Sequence, residues 1–242
     1  WTVTNEMMDD RNQGLFGDYE LDWHTNMTPV ADAEEVIGLY AKTITYETET
    51  WFANSMSYFK QLHEHKKDLL RQLTVVHDPK RTLGLMKEAW QPKFGEIYGE
   101  EVLREIQKNR ETREVFNALN MESENKHKFG ASRGIMNNHK FVADHPVGPE
   151  GLLFSPYEVH TFLKDGEPYE HSKELFDELW NDYVCNDKYI YKHKWKEGDI
   201  CLFDNVTGIH RRPDILKDKP RKLLRTATWY KSHLRKHHDY VV

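Results

Sequence analysis

The spacing of apolar and polar positions changes period several times along this chain. VIGLYAKTITYETETWFAN (36–54) is crowded with β-branched and aromatic residues and predicts two strands. KYIYKHKW (188–195), GDICLFDN (198–205) and KLLRTATWYK (222–231) read as three more, and the opening WTVTNE as another. The run leading into WHTN (23–26) has the look of a strand entering a turn, and HPVGPEGLLFSPYEVHTF (145–162) of a turn followed by a strand. DDRNQGLFGDY (9–19) reads as a loop punctuated by Gly14 and Gly17. A helical period replaces the alternation in SMSYFKQLHEHKKDLLRQL (55–73), where Met56, Phe59, Leu62, Leu69 and Leu70 share a face and Asn54 is placed to cap. SKELFDELWNDYV (172–184) predicts a short helix with Ser172 as its N-cap. Many short strands with two or three helices predict a mainly β domain, sandwich or barrel, with helices outside it.

One stretch breaks this picture. From about 80 to 138 the pattern is helical and charged, as in EVLREIQKNRETREVFNALN (101–120), and it ends in the polar MESENKHKFGASRGIMNNHK. That is long for a connection inside a β core, and predicts an insertion that acts as a lid or loop. There is no internal repeat.

Composition adds boundaries. A length of 242 residues fits one domain with a sizeable core. The apolar fraction of 38% is low, but seven Trp, twelve Tyr and eleven Phe compensate because each ring buries a large area. No apolar run approaches the roughly 20 residues that span a bilayer, and no leader pattern is visible, so neither a membrane partner nor secretion is expected. Two cysteines, Cys185 and Cys201, make neither a disulfide framework nor a zinc spacing, which predicts a reduced, cytoplasmic setting. A net charge of −6 argues against a nucleic-acid surface, and the basic KSHLRKHHDY near the C-terminus reads as a solvated tail. The first residue is Trp1, as expected of a chain that begins inside a longer one.

The candidate chemistry lies in two strands near the C-terminus. Residues 195–212 read WKEGDICLFDNVTGIHRR, and 221–230 read RKLLRTATWY. Arg221 and Arg225 follow His210 by eleven and fifteen residues and, four apart in a strand, point the same way with Leu223 between them. Two arginines on the inner face of a β core are costly unless each meets an anion. A guanidinium grips a carboxylate bidentately, which suits a diacid cosubstrate or an acidic substrate. An isolated histidine is ordinarily packed or exposed, as His63, His65, His237 and His238 read here; His24 stands apart because His210 and the two arginines accompany it.

At these residues the chain resembles the taurine dioxygenase (TauD/TfdA-like) family of iron(II)- and 2-oxoglutarate-dependent oxygenases. Trp195, Gly198, Asp199, Phe203, Asp204, Asn205 and His210 match the family block W-x-x-G-D-x-x-x-[WF]-D-N-x-x-x-x-H, and Arg221 and Arg225 match the R-x-x-x-R beyond it. Trp23, His24 and Thr25 match W-H-[ST]-D, with Asn26 in the place of the aspartate. TETWFAN resembles the family's G-D-T-x-W segment and puts Thr50 where a threonine helps hold 2-oxoglutarate; HPV followed by GLLF resembles a further segment. The resemblance implies a distorted double-stranded β-helix (jelly roll, cupin-like). It implies iron(II) held by His24, His210 and the residue at 26, and 2-oxoglutarate held by Arg221 and Thr50. O2 would then be the oxidant for a small-molecule substrate, and a homo-oligomer is an open possibility. Arg225 meets either 2-oxoglutarate or the substrate; in the second case the substrate is anionic. Asp204 and Asn205 would position His210, and Trp23 and Phe203 read as packing. Family members carry a longer segment before the first metal histidine than the 23 residues here, so part of the usual scaffold is expected to be absent, and 80–138 matches nothing in the family.

Asn26 is the departure that matters. Aspartate gives a hard cation a negative oxygen; asparagine gives a neutral carbonyl oxygen at similar reach. Three outcomes stay open. Asn26 ligates iron directly or through water and the dioxygenase works; the centre is altered and the protein is a non-catalytic 2-oxoglutarate-binding homologue; or an exogenous anion takes the third position, as in halogenases, which use a smaller Gly or Ala there.

Overall fold

The computed structural model describes residues 2–4, 7–8, 11–12, 21–26, 34–77, 137–213, 219–228 and 230. The 80–138 insertion, apart from Asn137 and Asn138, lies outside the described residues, as do Trp1, Gly14, Gly17 and the basic KSHLRKHHDY segment.

Sixteen strands are described: β1 (Thr2–Thr4), β2 (Met7–Met8), β3 (Arg11–Asn12), β4 (Leu21–His24), β5 (Val36–Ile44), β6 (Glu49–Asn54), β7 (Leu73–His77), β8 (Asn137–Lys140), β9 (Val142–Ala143), β10 (Gly151–Leu152), β11 (Val159–Lys164), β12 (Glu167–Pro168), β13 (Ile190–Lys194), β14 (Ile200–Asp204), β15 (Gly208–Arg212) and β16 (Arg221–Thr228). The helices are α1 (Ser55–Gln61), α2 (Glu64–Arg71) and α3 (Ser172–Leu179). Two antiparallel four-stranded sheets, ordered β1-β16-β5-β14 and β13-β6-β15-β4, carry the site; a third, β12-β11-β7-β8, and the pairs β9–β10 and β2–β3 flank them.

Alternation along each strand sorts the residues. On β5, Ile37, Leu39 and Ala41 turn inward and join Val3, Trp195 and Leu223 in one apolar cluster. On β6, Ala53 faces away from that cluster and packs in a larger core with Trp23, Ile209, the helices and the β7–β11 sheet; Phe141, Phe154, Phe162 and Phe176 fill it with edge-to-face and stacked contacts. The expected jelly roll is what forms.

Several local expectations change. The helix expected over 55–73 is two, because Leu62 and His63 both adopt extended backbone (ψ 149°) and stop α1 before α2 begins. Asn54 caps as expected: its side chain accepts from Met56 N at 2.8 Å. Ser172 does not cap α3. His171 is in the cap position, while the Ser172 hydroxyl donates to Tyr169 O at 2.6 Å and accepts from Phe162 N at 3.2 Å, tying the helix to β11. The end of that run, Trp180–Val184, widens into a π-helical turn. The 145–162 segment holds two strands, β10 and β11, and the 9–19 loop contributes β3.

Candidate active site

The two histidines meet because their strands pair. β15 runs antiparallel to β4 with His210 directly opposite His24, a register that brings side chains on one face together. The ring centroids are 4.3 Å apart. His24 Nδ1 lies 2.5 Å from the carbonyl oxygen of Asp22, so Nδ1 carries a proton and donates there, and Nε2 is the nitrogen a metal would use. His210 is buried, and burial first, then the charges of His24 and Arg225, hold its pKa well below the ordinary histidine value. A neutral imidazole is the form that ligates a metal. Phe52, opposite His210 on β6, and Phe203 on β14 wall the ring, with Phe203 at 4.8 Å.

Asn26 sits in the turn after β4, with its amide Nδ2 3.3 Å from His210 Nε2. Asn205 fixes it there: the Asn205 side chain accepts from Asn26 N and donates to Asn26 O, both at 2.9 Å, and donates again to Glu34 O at 2.6 Å. Asn205 therefore positions position 26, where the sequence placed its role at His210. Asp204 closes the turn before β15 by accepting from Val206 N, Thr207 N and the Thr207 hydroxyl, and it meets His145 Nε2 at 3.0 Å. That contact gives the HPV segment a place in the structure. Gly208 completes the turn: a Cβ there would lie 2.5 Å from Asp204 O. From the other side, Ser155 Oγ accepts from Thr25 N, and Tyr157 N donates to Trp23 O.

Further along the cavity wall, residues of both sheets meet. Thr50 on β6 is buried; its Oγ1 accepts from Trp195 Nε1 at 2.8 Å and lies 3.4 Å from an Arg221 nitrogen on β16. The indole uses one lone pair and fixes the hydroxyl, whose own proton can then be donated to an anion beside Arg221. Thr50 and Arg221, far apart in sequence, are thus brought together as expected. Arg225 shares the cavity wall with Arg221 and Leu223, but its guanidinium is engaged by Glu34, both nitrogens of the fork meeting both carboxylate oxygens. Sequence reasoning missed Glu34 altogether; an acidic pair in ADAEEVI carries no local signal. It also missed Arg212 on the cavity wall and Arg211, whose guanidinium lies over the Trp23 and Trp51 rings at 5.8 and 5.1 Å. Trp23 packs in the core as expected, and Phe203 packs against the β5 cluster while also lining the cavity.

The residues present fit a divalent metal of intermediate hardness. They offer two imidazoles on one face, His210 held neutral by its burial, and an amide whose oxygen can replace its nitrogen by a half-turn. Among the described residues no three of His, Cys, Asp and Glu cluster as a metal site; the polar side chain beside the histidine pair is the Asn26 amide. His210 Nδ1 has no hydrogen-bond partner among the described residues.

A jelly roll whose cavity is lined by both a histidine pair and an arginine–threonine pair defines the class of 2-oxoglutarate oxygenase folds. Comparison makes this specific. The family model for the taurine catabolism dioxygenase TauD, TfdA family matches residues 2–227, and the chain belongs to that family. An alkylsulfatase of Acinetobacter baylyi is 25% identical over 206 residues, 84% of this chain and 55% of the relative. The alpha-ketoglutarate-dependent 2,4-dichlorophenoxyacetate dioxygenase of a Burkholderia species is 33% identical over 72 residues, 29% of this chain and 23% of the relative. A taurine dioxygenase from Burkholderia xenovorans superposes with a TM-score of 0.60 at 18% identity, covering 94% of this chain and 62% of the other, which shows the shared fold. The chain spans about half the length of the alkylsulfatase.

Proposed function

We propose that this protein is an iron(II)- and 2-oxoglutarate-dependent dioxygenase that oxidises a small organic molecule at carbon, by hydroxylation. The observation that carries the reading is the opposition of His24 and His210 across one strand pair, with Arg221 and Thr50 facing the same cavity from the two sheets. His24, His210 and the Asn26 amide oxygen would hold the metal. Bound iron(II) with 2-oxoglutarate supplies the activation of O2 that the side chains cannot. The chain's own residues do the rest. Arg221 and the Thr50 hydroxyl bind and orient the far carboxylate of the cosubstrate. Trp195 keeps that hydroxyl aimed, and Phe52, Phe203, Ile37 and Leu39 exclude water. The carboxylate of a substrate such as the 2,4-dichlorophenoxyacetate named for one relative would find Arg225 on the wall, where Glu34 already holds it.

A second reading, a homologue that binds 2-oxoglutarate without turnover, is favoured by one contact: the Asn26 amide faces the His210 lone pair that a metal would use. Anaerobic titration with iron(II) and 2-oxoglutarate, followed by the visible metal-to-ligand charge-transfer band, separates the two. The dioxygenase reading expects the band with the chain as it is, a tighter iron isotherm in Asn26→Asp, and no band in His210→Ala. A band that appears only in Asn26→Asp supports the second reading, and a band that survives in His210→Ala removes the metal assignment.

A further inference from the structure

The ion pair between Glu34 and Arg225 is a device the proposed reaction does not use. Arg225 is on the cavity wall beside His24, Asn26 and His210. Both partners are buried, with side chains 7% and 11% exposed. The carboxylate meets the fork of the guanidinium end on, with both nitrogens occupied. This is no surface pair drifting between solvent contacts, because the backbone that delivers Glu34 is tied at three points. Glu34 O accepts from Asn205 Nδ2 at 2.6 Å, Glu35 O accepts from Asn205 N at 2.8 Å, and Glu35 N donates to Thr228 O at 3.3 Å. The carboxylate is therefore presented to Arg225 by the same asparagine that fixes Asn26.

A buried guanidinium demands an anion. In a substrate cavity that demand selects the ligand: an arginine left open to the cavity draws a sulfonate, sulfate or carboxylate, and one already matched by a fixed carboxylate repels them. We propose that Glu34 is a specificity-determining residue that acts through Arg225. It supplies inside the protein the negative charge an acidic substrate would otherwise bring, so that the cavity takes a substrate uncharged at this end. The proposal rests on reading the cavity as the substrate site, and it reverses the expectation of an acidic substrate drawn from Arg225 in the sequence. Arg221 and Thr50 remain the place for the cosubstrate's carboxylate.

The test uses methanesulfonate as an anionic probe and dimethyl sulfone as its neutral counterpart, on the whole chain without metal or cosubstrate, so that a failure of the iron chemistry does not affect the outcome. Binding is read by calorimetry at matched ionic strength. Any site at Arg221 is common to all variants, so the quantity of interest is an additional one. Glu34→Gln is expected to gain one saturable methanesulfonate site, bound about ten- to a hundredfold tighter than any counterpart in the unaltered protein. Glu34→Gln/Arg225→Gln loses it, and dimethyl sulfone does not distinguish the variants. If Glu34→Gln does not fold, Glu34→Ala, which also removes the carboxylate, takes its place with the same expected gain. An unaltered protein that already binds methanesulfonate at a site lost in Arg225→Gln overturns the proposal, and so does an equal number of sites in the Glu34 variant and the unaltered chain. A loss of folding in both Glu34 variants that methanesulfonate does not reverse would assign the pair to stability alone and overturn it too.

Discussion

At the scale of single residues, the site turns on how an asparagine is held. Asn26 has neither the charge nor the second oxygen of an aspartate, so its usefulness to a metal depends on where its backbone puts it. The Asn205 side chain grips both the N–H and the C=O of residue 26, one acceptor and one donor on a single amide. Partners of this kind are worth about 10–100-fold in metal affinity where they have been removed from other centres. Asn205→Ala is therefore expected to weaken iron(II) binding by a factor in that range, measured by competition against a chromophoric chelator. Asn205→Asp, which keeps the acceptor and loses the donors, should fall between. Equal iron affinity in all three proteins would mean the turn holds Asn26 unaided. The residues proposed for this site were largely legible in the sequence. His24, Thr50, His210 and Arg221 sit at motif spacings and meet in space. Glu34 was not legible, because its partner is 191 positions away and ion pairs across a sheet leave no trace in local pattern.

At the scale of elements, what was legible was period and what was not was interruption. The alternation in 36–54 and the three C-terminal runs became β5, β6, β13, β14 and β16 because inward apolar positions had a second sheet to meet, while β15, outside those runs, was not separated from the strand before it. The break between α1 and α2 was hidden, since the apolar spacing of 55–73 continues through it while the backbone at Leu62 and His63 does not. Ser172 misled because a serine hydroxyl serves a strand and a turn as readily as a helix end, and here β11 lies within reach. The turn between β14 and β15 is the element on which the site depends most. It delivers His210 two residues after Gly208, whose missing side chain lets the chain fold back against Asp204 O. Gly208→Ala must push that carbonyl aside. We expect a loss of about 1–3 kcal/mol, a fall of several degrees in Tm, together with weaker iron(II) binding because His210 moves with the turn. Unchanged Tm would mean the turn relaxes freely.

At the scale of the whole molecule, the site is a cavity between two sheets whose far side rests on the third, and buried histidines make that arrangement sensitive to acid. His77 ends β7, is fully buried, and accepts from Ser155 N through Nε2 at 3.2 Å, so Nδ1 holds the proton of the neutral ring. Burial, with His139 nearby, lowers its pKa from 6.5 to about 3. Ser155 in turn accepts from Thr25 N, so the ring lies two contacts behind the turn that carries Asn26. Protonating Nε2 would break the first of those contacts. The sign follows from which state binds the proton: below pH 6.5 the unfolded chain takes it up, and the native chain does not until about pH 3. Stability contributed by the neutral ring is thus fully present above 6.5 and is lost as pH falls toward 3. His210 shifts in the same direction and adds to the slope. His77→Gln, with an amide oxygen that can accept from Ser155 N, removes one of the two protons. Its unfolding free energy, from urea titrations between about pH 4 and 6, is expected to fall less steeply by up to about 1.4 kcal/mol per pH unit. Parallel slopes for the two proteins would show that the His77 ring takes up its proton with the chain still folded, and that the acid limit of this molecule is set at His210 and the carboxylates instead.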